Sequence, residues 1–237
     1  MRGAASHHEV HAISPAALPP RVAAAGFASS PAVVYRALTG CLPAEARIDD
    51  DRAFDRHVLA SILAAAITEP GPITERCGLS ADDFTALISV YFPHVTVLLS
   101  VLALDEAEID DEAAMLRDLL LKHRSTSGEV GRWLAAMVAR RAIEPEHLWE
   151  DLGLRNRAEL SRLLTRHFAP LAEGNTRNMR WKRYFYRKLC EDDGLVMCST
   201  PSCAQCNDFA ECFGDESGES RMAARRREVE LAGAIAS

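Results

Sequence analysis

The chain has no apolar run long enough to cross a membrane. The nearest approach, Val95 to Leu104, is interrupted by Thr96 and Ser100. It falls far short of the roughly 20 residues that a spanning helix needs, and it reads as a buried helix. Nor is a secretory signal expected. Arg2 is followed by histidines, prolines and alanines as far as Pro20, with no continuous apolar core, so export is not expected and a cytoplasmic location is. Positive charge is in deficit. The formal net charge of −7 argues against broad attraction to a polyanion, although a local basic surface stays compatible with it. The common enzyme fingerprints are missing too: no GxxxxGK[ST] phosphate loop, GxGxxG turn, GxSxG elbow or HExxH helix, and no repeat long enough for a solenoid.

What the chain does have is helical periodicity. With 237 residues, 48% of them hydrophobic, it can bury the core of one domain. Residues 1–30 carry Pro15, Pro19, Pro20 and many alanines and little packing pattern, so they read as a flexible extension with the fold starting near Pro31. Apolar residues then recur at helical spacing from Pro31 to Leu42 and from Asp51 to Ala66, where Phe54, Val58, Ile62 and Ala65 share a face. Ser80, three residues before Asp83, suggests an approximate capping box for a helix carrying Phe84, Leu87, Ile88 and Tyr91 and ending near Pro93. His94 to Leu104 reads as a short buried helix, with a strand as the alternative. Another helix is expected from Asp111 to His123, with Asp105, Glu106, Glu108, Asp110, Asp111 and Glu112 crowding its start, where exposed N–H groups favour negative charge. Gly128 to Ile143 and the stretch through Leu160, Leu163, Leu164 and Phe168 supply two more core stripes. The expectation is an all-α fold: a single multi-helix domain over 31–190, a cysteine-rich loop over 191–214 and a helical or flexible tail over 215–237.

Histidine offers little chemistry. His7, His8 and His11 lie in the extension without an element to fix their geometry, and His57, His123 and His167 sit on expected helices with no evident acid–base partner. All read as incidental or structural.

Cysteine is different. Of seven, four fall in CSTPSCAQCNDFAECFG, as Cys198, Cys203, Cys206 and Cys212 at C-x4-C-x2-C-x5-C spacing. Such a cluster is a poor match to a disulfide framework and points to a reducing compartment. Clustered thiolates can surround a soft metal ion or hold iron–sulfide units, and the short intervals let one loop enclose one site. Zinc accepts four thiolates as well, but commonly from two short paired hairpins, whereas these cysteines form one staggered run. Both metals stay open, with iron–sulfur favoured. Pro201 and Gly214 suit the turns of a wrapping loop. Cys190 is a candidate fifth thiol just ahead of it. Cys41 and Cys77 are remote and read as core packing.

The same residues carry a resemblance. GLSADDFTALISVYFP at 78–93, DEAAMLRDLLLKHRS at 111–125, HLWEDLGLRNRAELSRLL at 147–164, FAPLAEGNTRNMRWKRYFYRKLCEDDG at 168–194 and the four-cysteine pattern together resemble the NifQ family over about residues 35–214. That resemblance implies an iron–sulfur protein whose cluster accepts molybdenum, held by Cys198, Cys203, Cys206 and Cys212. It implies delivery to nitrogenase iron–molybdenum cofactor assembly, with the NifEN scaffold and NifH as partners and molybdate or another molybdenum donor as the source. It describes a metal carrier more than a turnover enzyme. A cuboidal three-iron unit has one open corner into which a heterometal can enter. Two other readings compete: a nucleic-acid repair protein with a structural cluster, for which no hairpin, catalytic Asp or Lys or base pocket can be assembled, and a zinc-stabilised interaction protein.

Arg177 to Cys190 reads as a helix with Trp181, Phe185 and Leu189 on one side and Arg180, Arg183 and Arg187 on another. The arginines form either a solvated face or a contact for a tetrahedral oxyanion or an acceptor's carboxylates.

Overall fold

The helix at the centre of the fold is apolar on nearly every side over its second half. In the computed structural model, which describes residues 30–96, 104, 110–192, 194 and 212, α2 (Asp51–Thr68) buries Phe54, Val58, Leu59, Ile62 and Leu63 almost completely. A helical segment with no polar face, such as 58–67, must be covered all round. α1 (Pro31–Thr39) lies along it, and α3 (Ile73–Cys77) fills the space between it and α6 (Glu129–Ala142). α4 (Ala81–Tyr91) closes on α6, and α5 (Asp111–Lys122) packs along α6 as its principal neighbour. After the short α7 (Leu148–Asp151), α8 (Arg157–His167) and α9 (Ala169–Gly174) follow, and α10 (Trp181–Asp192) docks on α5. The described residues form one all-α domain, and the only other regular pieces among them are 3-10 turns at Pro43–Glu45 and Pro93–Val95.

Local chemistry sets the helix starts. Asp50 Oδ1 accepts from Ala53 N at 2.8 Å, Ser80 Oγ from Asp83 N at 3.2 Å, and Asn156 Oδ1 from Glu159 N at 3.1 Å. Each satisfies one of the N–H groups a helix start leaves unpaired. In the acidic run the capping work falls to Asp110, whose Oδ1 accepts from both Glu112 N and Ala113 N. Asp105, Glu106 and Glu108 lie outside the described residues.

The expected helices at 31–42, 51–66, 80–93, 111–123 and 128–143 are present with ends shifted by a few residues. Two expectations need correction, and a third lies largely outside the described residues. The capping box at Ser80 is only half formed, because the Asp83 carboxylate turns to the Arg132 guanidinium, with Nη1 at 2.6 Å, and to Trp133 Nε1 at 3.3 Å. Of the expected helix from His94, only the turn at Pro93–Val95 and Thr96 are described, and 97–103 lie outside. The helix expected from Arg177 begins at Trp181 instead. Residues 175–180 are a turn in which Asn178 takes φ 53° and Asn178 N donates to Asn175 O at 3.0 Å. Residues 1–29 and 213–237 lie outside the described residues.

Candidate metal centre and its surroundings

Of the four clustered cysteines, Cys212 is described. Cys198, Cys203 and Cys206 lie outside the described residues, and among the described ones no group of three or more His, Cys, Asp or Glu stands together as metal ligands. Cys212 is half-buried against the core. Its carbonyl accepts from Arg180 N at 2.8 Å, which sets it at the N-terminal end of α10. There the unpaired N–H groups of the first turn favour negative charge. Next to Arg180, Trp181 is buried and its Nε1–H has no hydrogen-bond partner. Cys212 is the described member of the candidate thiolate set.

Cys190 stands in the last turn of the same helix. Ten residues separate it from Arg180, or about 15 Å along the axis at the rise of an α-helix, so the structure sets Cys190 and Cys212 at opposite ends of α10. Cys77 is fully buried on α3, where burial pushes its thiol up to about 12, leaving it protonated and inert. Cys41 is half-buried within reach of Thr39. Both occupy the packing positions expected of them.

The start of α10 is fixed by polar anchors. Lys182 Nζ reaches the buried Asp151 carboxylate and the Glu144 carbonyl, tying the helix to α7 and to the chain just after α6. Burial raises the Asp151 pKa, although Lys182 opposes the shift. The Arg141 guanidinium, itself buried, grips Glu69 with two 2.7 Å bonds and the Asp151 carbonyl with a third. At the far end of α10, Asp192 joins Lys122 at 2.7 Å and Lys188 at 2.6 Å. Trp181 and Phe185 are buried, and Leu189 packs against the core, as the pattern indicated. Arg183 and Arg187 are half-buried on this helix, and Arg187 Nε bonds Glu191 at 2.8 Å. Arg180 precedes the helix and is not part of its face.

Two histidines thought to lack partners do have them. His57 and Glu159 meet at 3.1 Å inside the core, with Tyr35 Oη at 2.7 Å from His57 Nδ1. An ionised carboxylate can only accept, so His57 Nε2 donates to Glu159, and Nδ1 pairs with the Tyr35 hydroxyl. His167 likewise bonds Asp55 at 2.9 Å and Thr126 at 2.8 Å. Their partners come from 22 to 112 residues away in sequence, so no local pattern could reveal them. At His123, Nε2 is buried without a partner, and burial lowers its pKa.

A helical domain that brings one cysteine of a four-cysteine run to the N-terminal end of its last described helix defines a protein with a candidate thiolate-ligated metal centre. Comparison with known proteins supplies the family. The NifQ family model matches residues 58–214, a span that contains all four clustered cysteines as well as Cys190. The chain is 44% identical over 179 residues to a NifQ homolog of Sinorhizobium fredii, covering 73% of this chain and 77% of that one. It is 41% identical over 160 residues to NifQ of Rhodobacter capsulatus, covering 67% and 87%, and 40% identical over 151 residues to NifQ of Azotobacter vinelandii, covering 59% and 77%. The chain belongs to the NifQ family. No solved structure matches it. No described helix is long and apolar enough to cross a membrane.

Proposed function

We propose that this protein is an iron–sulfur metallocluster carrier that acquires molybdenum and donates it to nitrogenase iron–molybdenum cofactor biosynthesis. The observation that carries the reading is the four-cysteine run, Cys198, Cys203, Cys206 and Cys212, inside the span matched to the NifQ family. In this reading the helical domain 31–190 is the platform, 191–214 is the cluster-binding segment, and 1–30 and 215–237 are extensions. The four thiolates retain the iron of the cluster, which supplies the sulfide framework to which molybdenum is added. Cys212 is held by its backbone carbonyl at the N-terminal end of α10. Cys190, about 15 Å along that helix, stands outside the four-thiolate set. NifEN, NifH and a molybdenum donor are the proposed partners, and molybdenum is cargo and not a resident catalyst.

Anaerobically prepared protein should contain iron and acid-labile sulfide. Replacing Cys203 or Cys206 by Ala should strip the cluster, while the same change at Cys41 or Cys77 should leave its iron content unchanged. Stoichiometric zinc without sulfide would reject the reading in favour of a zinc-stabilised interaction protein. Cleavage of a DNA lesion would turn it toward nucleic-acid repair.

A further inference from the structure

The bond that fixes Cys212 has a scaffold behind it. Its donor, Arg180 N–H, belongs to the peptide group whose carbonyl is that of Met179. A peptide unit is planar, so whatever aims the carbonyl also aims the N–H on its opposite edge. Two side chains aim this carbonyl. Asn175 Nδ2 donates to Met179 O at 2.9 Å while Asn175 Oδ1 accepts from Met179 N at 2.8 Å, so one amide grips both polar atoms of residue 179. Arg157, the first residue of α8, brings Nη2 to Met179 O at 3.0 Å, to Asn178 Oδ1 at 3.1 Å and to Asn178 O at 3.3 Å. The result is a turn of fixed shape, closed on its inner side by the buried Met179, with the Arg180 N–H directed at Cys212 O at 2.8 Å.

The residue types are those the geometry requires. Asparagine at 175 carries a donor and an acceptor on adjacent atoms, the complement of a backbone N–H and C=O on one residue. Aspartate has the same shape but no donor, and would set a carboxylate oxygen against the Met179 carbonyl. Asn178 occupies the left-handed region at φ 53°, which asparagine tolerates better than most residues.

We propose that Asn175 and Arg157 are positioning residues for the metal centre: by orienting the Met179–Arg180 peptide they hold the backbone of Cys212, and so its thiol, at the N-terminal end of α10. The proposal deepens the cluster-carrier reading and rests on it for its metal-dependent consequence. The positional claim itself holds in the metal-free protein.

The test uses full-length protein in three forms, wild type, Asn175→Asp and Arg157→Gln, each with and without anaerobic iron and sulfide loading. In the metal-free form, alkylation by iodoacetamide is followed cysteine by cysteine by mass spectrometry. Loss of the clamp should speed modification of Cys212 roughly tenfold, the scale of leaving a buried donor or acceptor unmatched, and leave Cys41 and Cys77 at wild-type rates. In the loaded form, iron should pass to a chelator several-fold faster and the paramagnetic signal of the reduced cluster should broaden or shift. Uniformly faster alkylation of all cysteines in Asn175→Asp would mean general unfolding of that variant, and the decision then falls to Arg157→Gln, which leaves the Asn175 grip intact. Unchanged Cys212 alkylation and unchanged iron loss in Arg157→Gln and in folded Asn175→Asp would overturn the proposal. Wild-type protein that takes up no iron or sulfide would defeat the carrier reading instead, while the alkylation result would still decide the role of the clamp.

Discussion

Replacing Glu159 by Gln tests the buried network that joins α8 to α2. The Glu159 carboxylate is buried and would by burial alone hold its proton more tightly. His57 Nε2 at 3.1 Å, Arg155 N at 3.0 Å and the Arg155 guanidinium outweigh that cost and bring its pKa down from 4.5 to about 2. A depressed carboxylate stabilises the fold above its unfolded pKa, and the contribution disappears as pH falls through the folded value. A shift of this size corresponds to about 3 kcal/mol at pH 7, of the order expected when one partner of a buried charged pair is removed. Glu159→Gln is nearly isosteric with the protonated acid. Its deficit relative to wild type should therefore be about 3 kcal/mol at pH 7, begin to shrink below pH 4.5 and be largely gone near pH 2. Urea denaturation of both proteins across that range measures the difference, and other carboxylates cancel in the comparison. A deficit that stays constant down to pH 2 would show that the ionised network is not what Glu159 contributes.

Two further outcomes follow from the structure. Gly78 has φ +72°, and a Cβ there would lie 2.6 Å from Arg140 Cβ and 2.8 Å from the Ala136 carbonyl, so Gly78→Ala should lower stability by more than about 1 kcal/mol. Gly40→Ala, at φ +89° but with nothing within 4 Å, should cost less, and equal urea midpoints for the two variants would refute the clash. Replacing Arg180, Arg183 and Arg187 together by Gln should leave the melting temperature and iron content near wild type while weakening molybdenum loading or delivery, since the backbone N–H that holds Cys212 is untouched. Normal loading and normal transfer at near-cellular salt would reduce these arginines to a solubilising role.

Much of this protein is local and could be read from the chain. Helix starts follow from Asp50, Ser80, Asp110 and Asn156, whose side chains bond backbone N–H groups two or three residues on, and the core stripes follow from apolar spacing that a helix turns to one side. The four-cysteine run and the family likeness are likewise properties of sequence alone. What the sequence could not decide were pairings between residues far apart in the chain. Asp83 abandoned its own helix start for Arg132, 49 residues away, and Asp55 and Glu159 found His167 and His57 across the core. Nor could periodicity tell that α10 begins at Trp181. The chain before it is held as a turn by Arg157 from another helix, and its last N–H is claimed by Cys212, 32 residues later. Periodicity reports which face of a helix is apolar. Which distant polar group satisfies a buried donor or acceptor is settled only when tertiary folding removes water from both.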